Sequence, residues 1–191
     1  MLPEHIPTLA GPVVTLRPFA ERDAPLIRAV ADDPLIPLIT TVPTSSDPQD
    51  ALDFIIRQND RVRRGLGYSF AIADTTSDEA VGQIGLWTVG ISSGRSTAGY
   101  WVATHHRRRG YLRAALSTLT TWAMGLGEIH RLQLHIEPWN EASWRAAEAC
   151  GYEREGLLRS WQQIGAERRD VYVYSVIRPG PDVGDVARHT T

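Results

Sequence analysis

The chain has 191 residues, 42% of them hydrophobic and 22% charged, which suits one domain with its own core and excludes a disordered chain. A formal net charge of -2 supplies no global positive field, so the expected partners include no nucleic acid and no membrane surface. The single cysteine, Cys150, forms no internal disulfide, and Met1 to Val30 carries prolines and charges where a signal peptide needs an apolar run, so the expected compartment is the cytoplasm.

In chain order, Val13 to Arg17 alternates as a strand, and Asp23 is placed to cap a helix with Pro25 in its first turn, ended before Pro34. Asp32 to Pro48 reads as a loop. Asp47-Pro48 starts a second helix with Leu52, Ile55, Ile56 and Val62 on its apolar face, stopped by Gly65. Tyr68 to Ala73 and Ala80 to Trp87 read as strands joined across the polar turn Asp74 to Glu79, and Thr97 to Val102 as the next. Leu112, Ala115, Leu116, Leu119 and Ala123 then fall at helical spacing until Gly125 and Gly127. Arg131 to Ile136 alternates as a strand, and Asn140 caps a helix running to Cys150 with Gly151 just past its end. Glu155 to Gln163 and Arg168 to Ile177 are the last strands, turned at Gly165; residues 1–177 form one domain and 178–191 a frayed C-terminal tail. Strand, helix, strand, helix in the middle requires a crossover, hence a parallel pair inside a mixed sheet, and the fold class is α+β.

His105, His106, Arg107, Arg108, Arg109, Gly110, Tyr111 and Leu112 lie between a strand end and a helix start. The N–H groups there lack intrahelical partners, the helix dipole is positive at that end, and the arginines add fork-shaped donors. A diphosphate fits. Neither a Walker loop nor a dinucleotide fingerprint is present, so the ligand belongs to another class. The adjacent histidines have no further ligands at metal spacing, and no metal is expected.

Gly99-Tyr100-Trp101, followed by Arg107-Arg108-Arg109-Gly110-Tyr111-Leu112, resembles the coenzyme A motif of GNAT acetyltransferases, Gln/Arg-x-x-Gly-x-Gly/Ala. Asn140-Glu141-Ala142-Ser143, ending in Glu148-Ala149-Cys150-Gly151-Tyr152 and followed by Glu155-Gly156, resembles the second signature of the RimJ/RimL branch. The resemblance runs from about Val13 to Ile177 and departs at Arg108, where members often have glycine, and at Leu112, where the motif asks for glycine or alanine.

This resemblance implies a mostly antiparallel seven-stranded sheet flanked by about four helices, with the central parallel pair splayed to hold acyl-CoA. It implies an acyl-CoA-dependent N-acyltransferase that moves an acetyl-sized group from acetyl-CoA to a primary amine by direct attack in a ternary complex. The acceptor is a protein N-terminal amine or a small amine. The alternatives are a catalytically weak CoA-binding sensor or a succinyl-CoA-using transferase, and a homodimer stays open.

The implied cofactor residues are Trp101, Val102 and Ala103, whose backbone faces pantetheine and the thioester oxygen, then Arg107, Arg108, Arg109, Gly110, Tyr111, Leu112 and Arg113 at the diphosphate, with Asn140 and Ser143 near the sulfur. Ser143 is the candidate acid for the departing thiolate, assisted by Asn140. Many relatives place a tyrosine acid four residues before the second-motif glycine, where this chain has Ala147. A carboxylate base on the strand is replaced by Thr97, which leaves Glu137, His135 or water. Cys150 sits at a helix C-terminus, where the dipole opposes a thiolate, so no acyl-enzyme is expected. Trp161 is expected to line an acceptor pocket with the Asp32 to Pro48 loop.

Overall fold

The computed structural model describes residues 1–179. Eight strands form one sheet: β1 (Leu9–Ala10), β2 (Val14–Arg17), β3 (Gly67–Asp74), β4 (Ala80–Trp87), β5 (Arg95–Val102), β6 (Arg131–Ile136), β7 (Glu153–Ile164) and β8 (Glu167–Ile177). Their order is β1-β2-β3-β4-β5-β6-β8-β7. Only β5 and β6 are parallel; every other neighbouring pair is antiparallel. The strand beyond the expected seven is β1, a two-residue edge too short to carry an alternating pattern.

Five helices cover the two faces: α1 (Ala24–Ala29), α2 (Ile36–Ile39), α3 (Pro48–Asp60), α4 (Tyr111–Gly125) and α5 (Glu141–Ala149). Asp47 caps α3 by accepting from the Gln49 N–H at 2.7 Å. The segment expected as plain loop contains α2, because the Asp33 carboxylate accepts from the N–H groups of Leu35 and Ile36, both at 2.9 Å. Asp23 does not cap α1 with its side chain. Both its carboxylate oxygens accept from Arg17, at 2.8 and 2.9 Å. Oδ2 also accepts from the Ala20 N–H at 2.9 Å, so the carboxylate is committed to Arg17 and to the turn before α1.

Successive residues of β5 serve opposite layers, as a period of two requires. Ala98 and Val102 join the core under α4, with Ile84, Leu116 and Leu119; Trp101 and Ala103 join the core under α1 and α3, with Ile27 and Phe54. Phe54 is fully buried, and truncating it to alanine should cost about 3–5 kcal/mol. One sheet therefore separates an α4 face from an α3 face at the strand that matters for function.

Arg178 does not begin a frayed segment. Its N–H donates to the His130 carbonyl at 2.8 Å and its guanidinium to the carbonyls of Met124 and Leu126 at the end of α4, where a cation meets the negative end of the dipole. Residues 180–191 of the expected tail lie outside the described residues.

Candidate active site

The parallel partners β5 and β6 stay in register only over Arg95/Arg131, Ser96/Leu132 and Thr97/Gln133. Beyond Thr97 they part, while β5 remains paired to β4 as far as Val102/Gly82. The Ala103 N–H donates to the Val81 carbonyl at 3.0 Å. Polar groups of an extended strand alternate sides, so the Trp101 N–H also points to β4, and the N–H groups of Tyr100 and Val102 point into the gap. Of the three backbone donors expected to face a thioester, Val102 alone is directed there. Trp101 and Ala103 spend theirs on the β4 ladder.

The gap opens a cavity of about 780 Å³ whose walls include Thr97, Tyr100, Trp101, His135, Glu137 and Ser143. Tyr100 reaches across it, its hydroxyl 2.7 Å from the Ser143 hydroxyl. Ser143 is 5% exposed, and its N–H donates to the Asn140 side chain at 3.2 Å, so the cap of α5 fixes the serine. Burial pushes the Tyr100 pKa up to about 12 despite the Ser143 bond. The phenol remains a proton donor at any ordinary pH. Sequence reasoning missed Tyr100 because an aromatic on an alternating strand reads as core; its place in Gly99-Tyr100-Trp101 within the motif was the available signal.

His135 and Glu137 share the opposite wall. The His135 ring packs on Trp161 with centroids 5.7 Å apart, and partial desolvation lowers its pKa although its surface is still exposed, leaving a neutral imidazole able to accept a proton. Glu137 accepts from the Trp139 indole N–H at 2.8 Å. Trp161 itself stands behind His135, 53% exposed, and the late hairpin contributes Gln162 and Ile164 to the wall instead. Leu35, Leu38, Ile39, Thr40 and Thr41 from the α1 to α3 connection complete that end.

At the far side of the α4 face, Gly110 precedes α4 with φ of 81°, and no side chain caps the helix. A Cβ built on Gly110 would meet nothing within 4 Å. The first turn of α4 contains no acidic residue, so its unpaired N–H groups open onto free space and suit an anion. Arg108 adopts φ of 65°, the left-handed backbone that makes glycine common at this position. Arg107 turns inward: its Nε donates to the Val102 carbonyl at 2.9 Å, and Nη2 approaches Asp33 at 3.4 Å. Its guanidinium holds the strand end. The Tyr111 hydroxyl donates to Asp74 at 2.8 Å. Leu112 packs against the core under α4, and Arg113 is exposed. Cys150 donates to the Arg113 carbonyl at 3.5 Å, and burial raises its pKa; a thiol so placed is no nucleophile.

His106 is 6% exposed and neither ring nitrogen has a hydrogen-bond partner, Glu79 standing 3.7 Å from Nε2, and among the described residues no group of three or more His, Cys, Asp or Glu is arranged to hold a metal. No described helix is long and apolar enough to cross a membrane.

A parallel pair that parts, beside an uncapped helix start, sets a free strand edge next to a seat for an anion. A family model described as an acetyltransferase (GNAT) domain matches residues 14–153. The chain belongs to the GNAT family and is an N-acetyltransferase. It is 26% identical over 171 residues to the uncharacterized N-acetyltransferase p20 of Bacillus licheniformis, covering 90% of this chain and 96% of p20. Its fold matches Mycobacterium smegmatis RimJ, solved with a CoA-disulfide, with a TM-score of 0.77 at 24% identity over 93% of this chain and 90% of that one. It also matches RimL, a ribosomal L7/L12 alpha-N-protein acetyltransferase solved with coenzyme A, with a TM-score of 0.77 at 17% identity over 90% and 98% of the two chains.

Proposed function

We propose that the protein transfers the acetyl group of acetyl-CoA to a primary amine by direct attack in a ternary complex, the acceptor being a protein N-terminal amine or a small amine. The observation that carries this reading is the Tyr100 and Ser143 hydroxyl pair, 2.7 Å apart in the gap between β5 and β6. It supplies the proton donor that Ala147 cannot. Names of related proteins support the donor, since RimJ and RimL were solved with forms of CoA.

The residues fit the donor on two counts. The N–H groups opening α4 at Gly110 would take the diphosphate, and the β5 edge released by β6 would pair with pantetheine. When bound, acetyl-CoA supplies an acyl group activated as a thioester. The chain's own contributions follow from position. The Val102 N–H, aimed into the gap, stabilises negative charge on the acyl oxygen. Tyr100, through or beside Ser143, holds the proton that the leaving sulfur requires. Neutral His135 takes the proton of the incoming amine, with Glu137 as the alternative acceptor. Arg107 positions the Val102 peptide by gripping its carbonyl. Asn140 acts only by holding α5 and Ser143 in place.

Free-thiol release from acetyl-CoA over a panel of amines tests the reading. Turnover with some primary amine, together with tight CoA binding, is expected. CoA binding without turnover on any amine would make the protein a sensor instead.

A further inference from the structure

We infer that the α3 side of the cavity selects a carboxylate, so that the acceptor is a primary amine that also bears a carboxyl group; this rests on the transferase reading above. The observation is Arg61. It stands at the C-terminal end of α3 and lines the cavity. Its Nε donates to the Gln58 side-chain Oε1 at 2.8 Å, and its guanidinium carbon lies 4.6 Å from the centroid of the Trp87 ring.

Gln58 is itself fully buried and fixed. It donates to the Thr41 hydroxyl at 2.9 Å and accepts from the Gln83 amide at 3.1 Å. Gln83 in turn accepts from the Trp101 indole at 2.7 Å. The guanidinium is thus held between a hydrogen-bonded polar network and the Trp87 ring. Among the described residues neither Nη atom has a hydrogen-bond partner, and no carboxylate pairs with Arg57, Arg61 or Arg64.

A cation at a helix C-terminus is ordinary, because the dipole favours it. That explains a charge in the last turn but not a guanidinium held over Trp87 in the cavity wall with its two outer nitrogens unpaired among the described residues. Burial and the neighbouring charges of Arg64 and Arg57 both disfavour the charged form of Arg61, so an arriving anion relieves an existing cost. A planar guanidinium with two free donors matches a carboxylate bidentately. Among the described residues the one acidic side chain in the cavity wall, Glu137, sits on the β6 side, and a polyamine would meet like charge at Arg61.

A carboxylate has two sources, the acceptor or a dicarboxylic acyl donor. Arg61, Gln58 and Trp87 belong to the α3 face, whereas Gly110 and Ser143 lie on the α4 and α5 side that receives the donor. The acceptor is therefore assigned.

The test compares acid and amide forms of the same amine, leucine against leucinamide and alanyl-glutamate against alanyl-glutamine, with acetyl-CoA. Wild type should favour the acid of at least one pair by about tenfold or more in kcat/KM, the size expected of a charge-assisted bond in a partly buried site. Arg61→Gln should bring that ratio to about one, and Arg61→Lys should keep part of it. Exposed Arg57→Gln should lower the ratio by roughly threefold at most. Equal wild-type rates for acid and amide in both pairs would overturn the inference alone. So would a wild-type preference for succinyl-CoA over acetyl-CoA, with amide acceptors, that Arg61→Gln removes. No thiol release with any amine would overturn the transferase reading and this inference with it.

Discussion

The hydroxyls of Tyr100 on β5 and Ser143 on α5 lie 2.7 Å apart, although 43 positions separate them in the chain. The pair bridges the two walls of the gap that β5 and β6 leave between them. If the phenol is the proton donor and the serine its relay, Tyr100→Phe and Ser143→Ala should each lower kcat by roughly 10²-fold with little change in the KM for acetyl-CoA. The double variant should be little worse than either single one, because groups acting as a unit are not additive. Steady-state thiol release measures all three.

The pH profile follows from two groups. Partial desolvation holds His135 below the ordinary histidine pKa, so the imidazole is neutral at pH 7 and gains a proton only as pH falls through that lowered value. kcat should therefore decline on the acid side, and His135→Asn should abolish that limb while Glu137→Gln leaves it. Tyr100, pushed up to about 12, loses its proton only at extreme alkalinity, so kcat should show no alkaline limb below about pH 10. A kcat profile of the three proteins checks both statements.

Gly110 offers a substitution that separates folding from binding. A side chain there projects into open space, yet φ of 81° strains any L-residue by about 1 kcal/mol. Gly110→Val should fold, with only a small loss in Tm, but should fill the space in front of the α4 N–H groups. Calorimetric titration with CoA should show a Kd raised about tenfold or more.

Arg17 and Asp23 form a buried ion pair, with side chains 10% and 2% exposed, and Asp78 adds a second carboxylate to Arg17 at 2.7 Å. Asp23→Ala leaves much of that charge uncompensated in the interior. The expected loss is about 3 kcal/mol, roughly 6–12 °C in Tm, read by thermal unfolding.

At the sheet edge, the Glu155 carboxylate accepts from Arg131 and from the Ser175 hydroxyl, which holds its pKa at about 2. Because the folded value is depressed, its contribution is present above the ordinary glutamate range and fades as pH falls through about 2. Glu155→Gln should therefore lower Tm slightly at pH 7 and converge with wild type near pH 2. The pair is partly exposed, so the difference at neutral pH should be small.

Local pattern carried much of the fold. The alternation of Tyr68 to Ala73 and the helical spacing from Leu112 to Ala123 depend on near neighbours, and both elements form where expected. The start of α4 just after Gly110 was legible too, since Leu112 to Ala123 falls at helical spacing. What escaped was set by distant partners. Asp23 looked like a cap because nothing local reveals Arg17 folding onto it. Tyr100 has no readable partner in the chain around it, since Ser143 is brought beside it by α5. Arg61 had no signal at all: Gln58 lies one turn away on α3, but Trp87 arrives from β4 and Thr41 from the preceding loop. Trp161 falls within the register irregularity between Leu158 and Gln162 and packs on His135 outside the cavity wall, which position alone does not reveal.

A crystal structure of the protein with CoA tests the central claim most directly. The account predicts the diphosphate on the N–H groups that open α4 at Gly110, pantetheine along the freed edge of β5, and the sulfur within hydrogen-bonding reach of the Tyr100 and Ser143 hydroxyls. A diphosphate bound away from Gly110, or a sulfur remote from both hydroxyls, would contradict it.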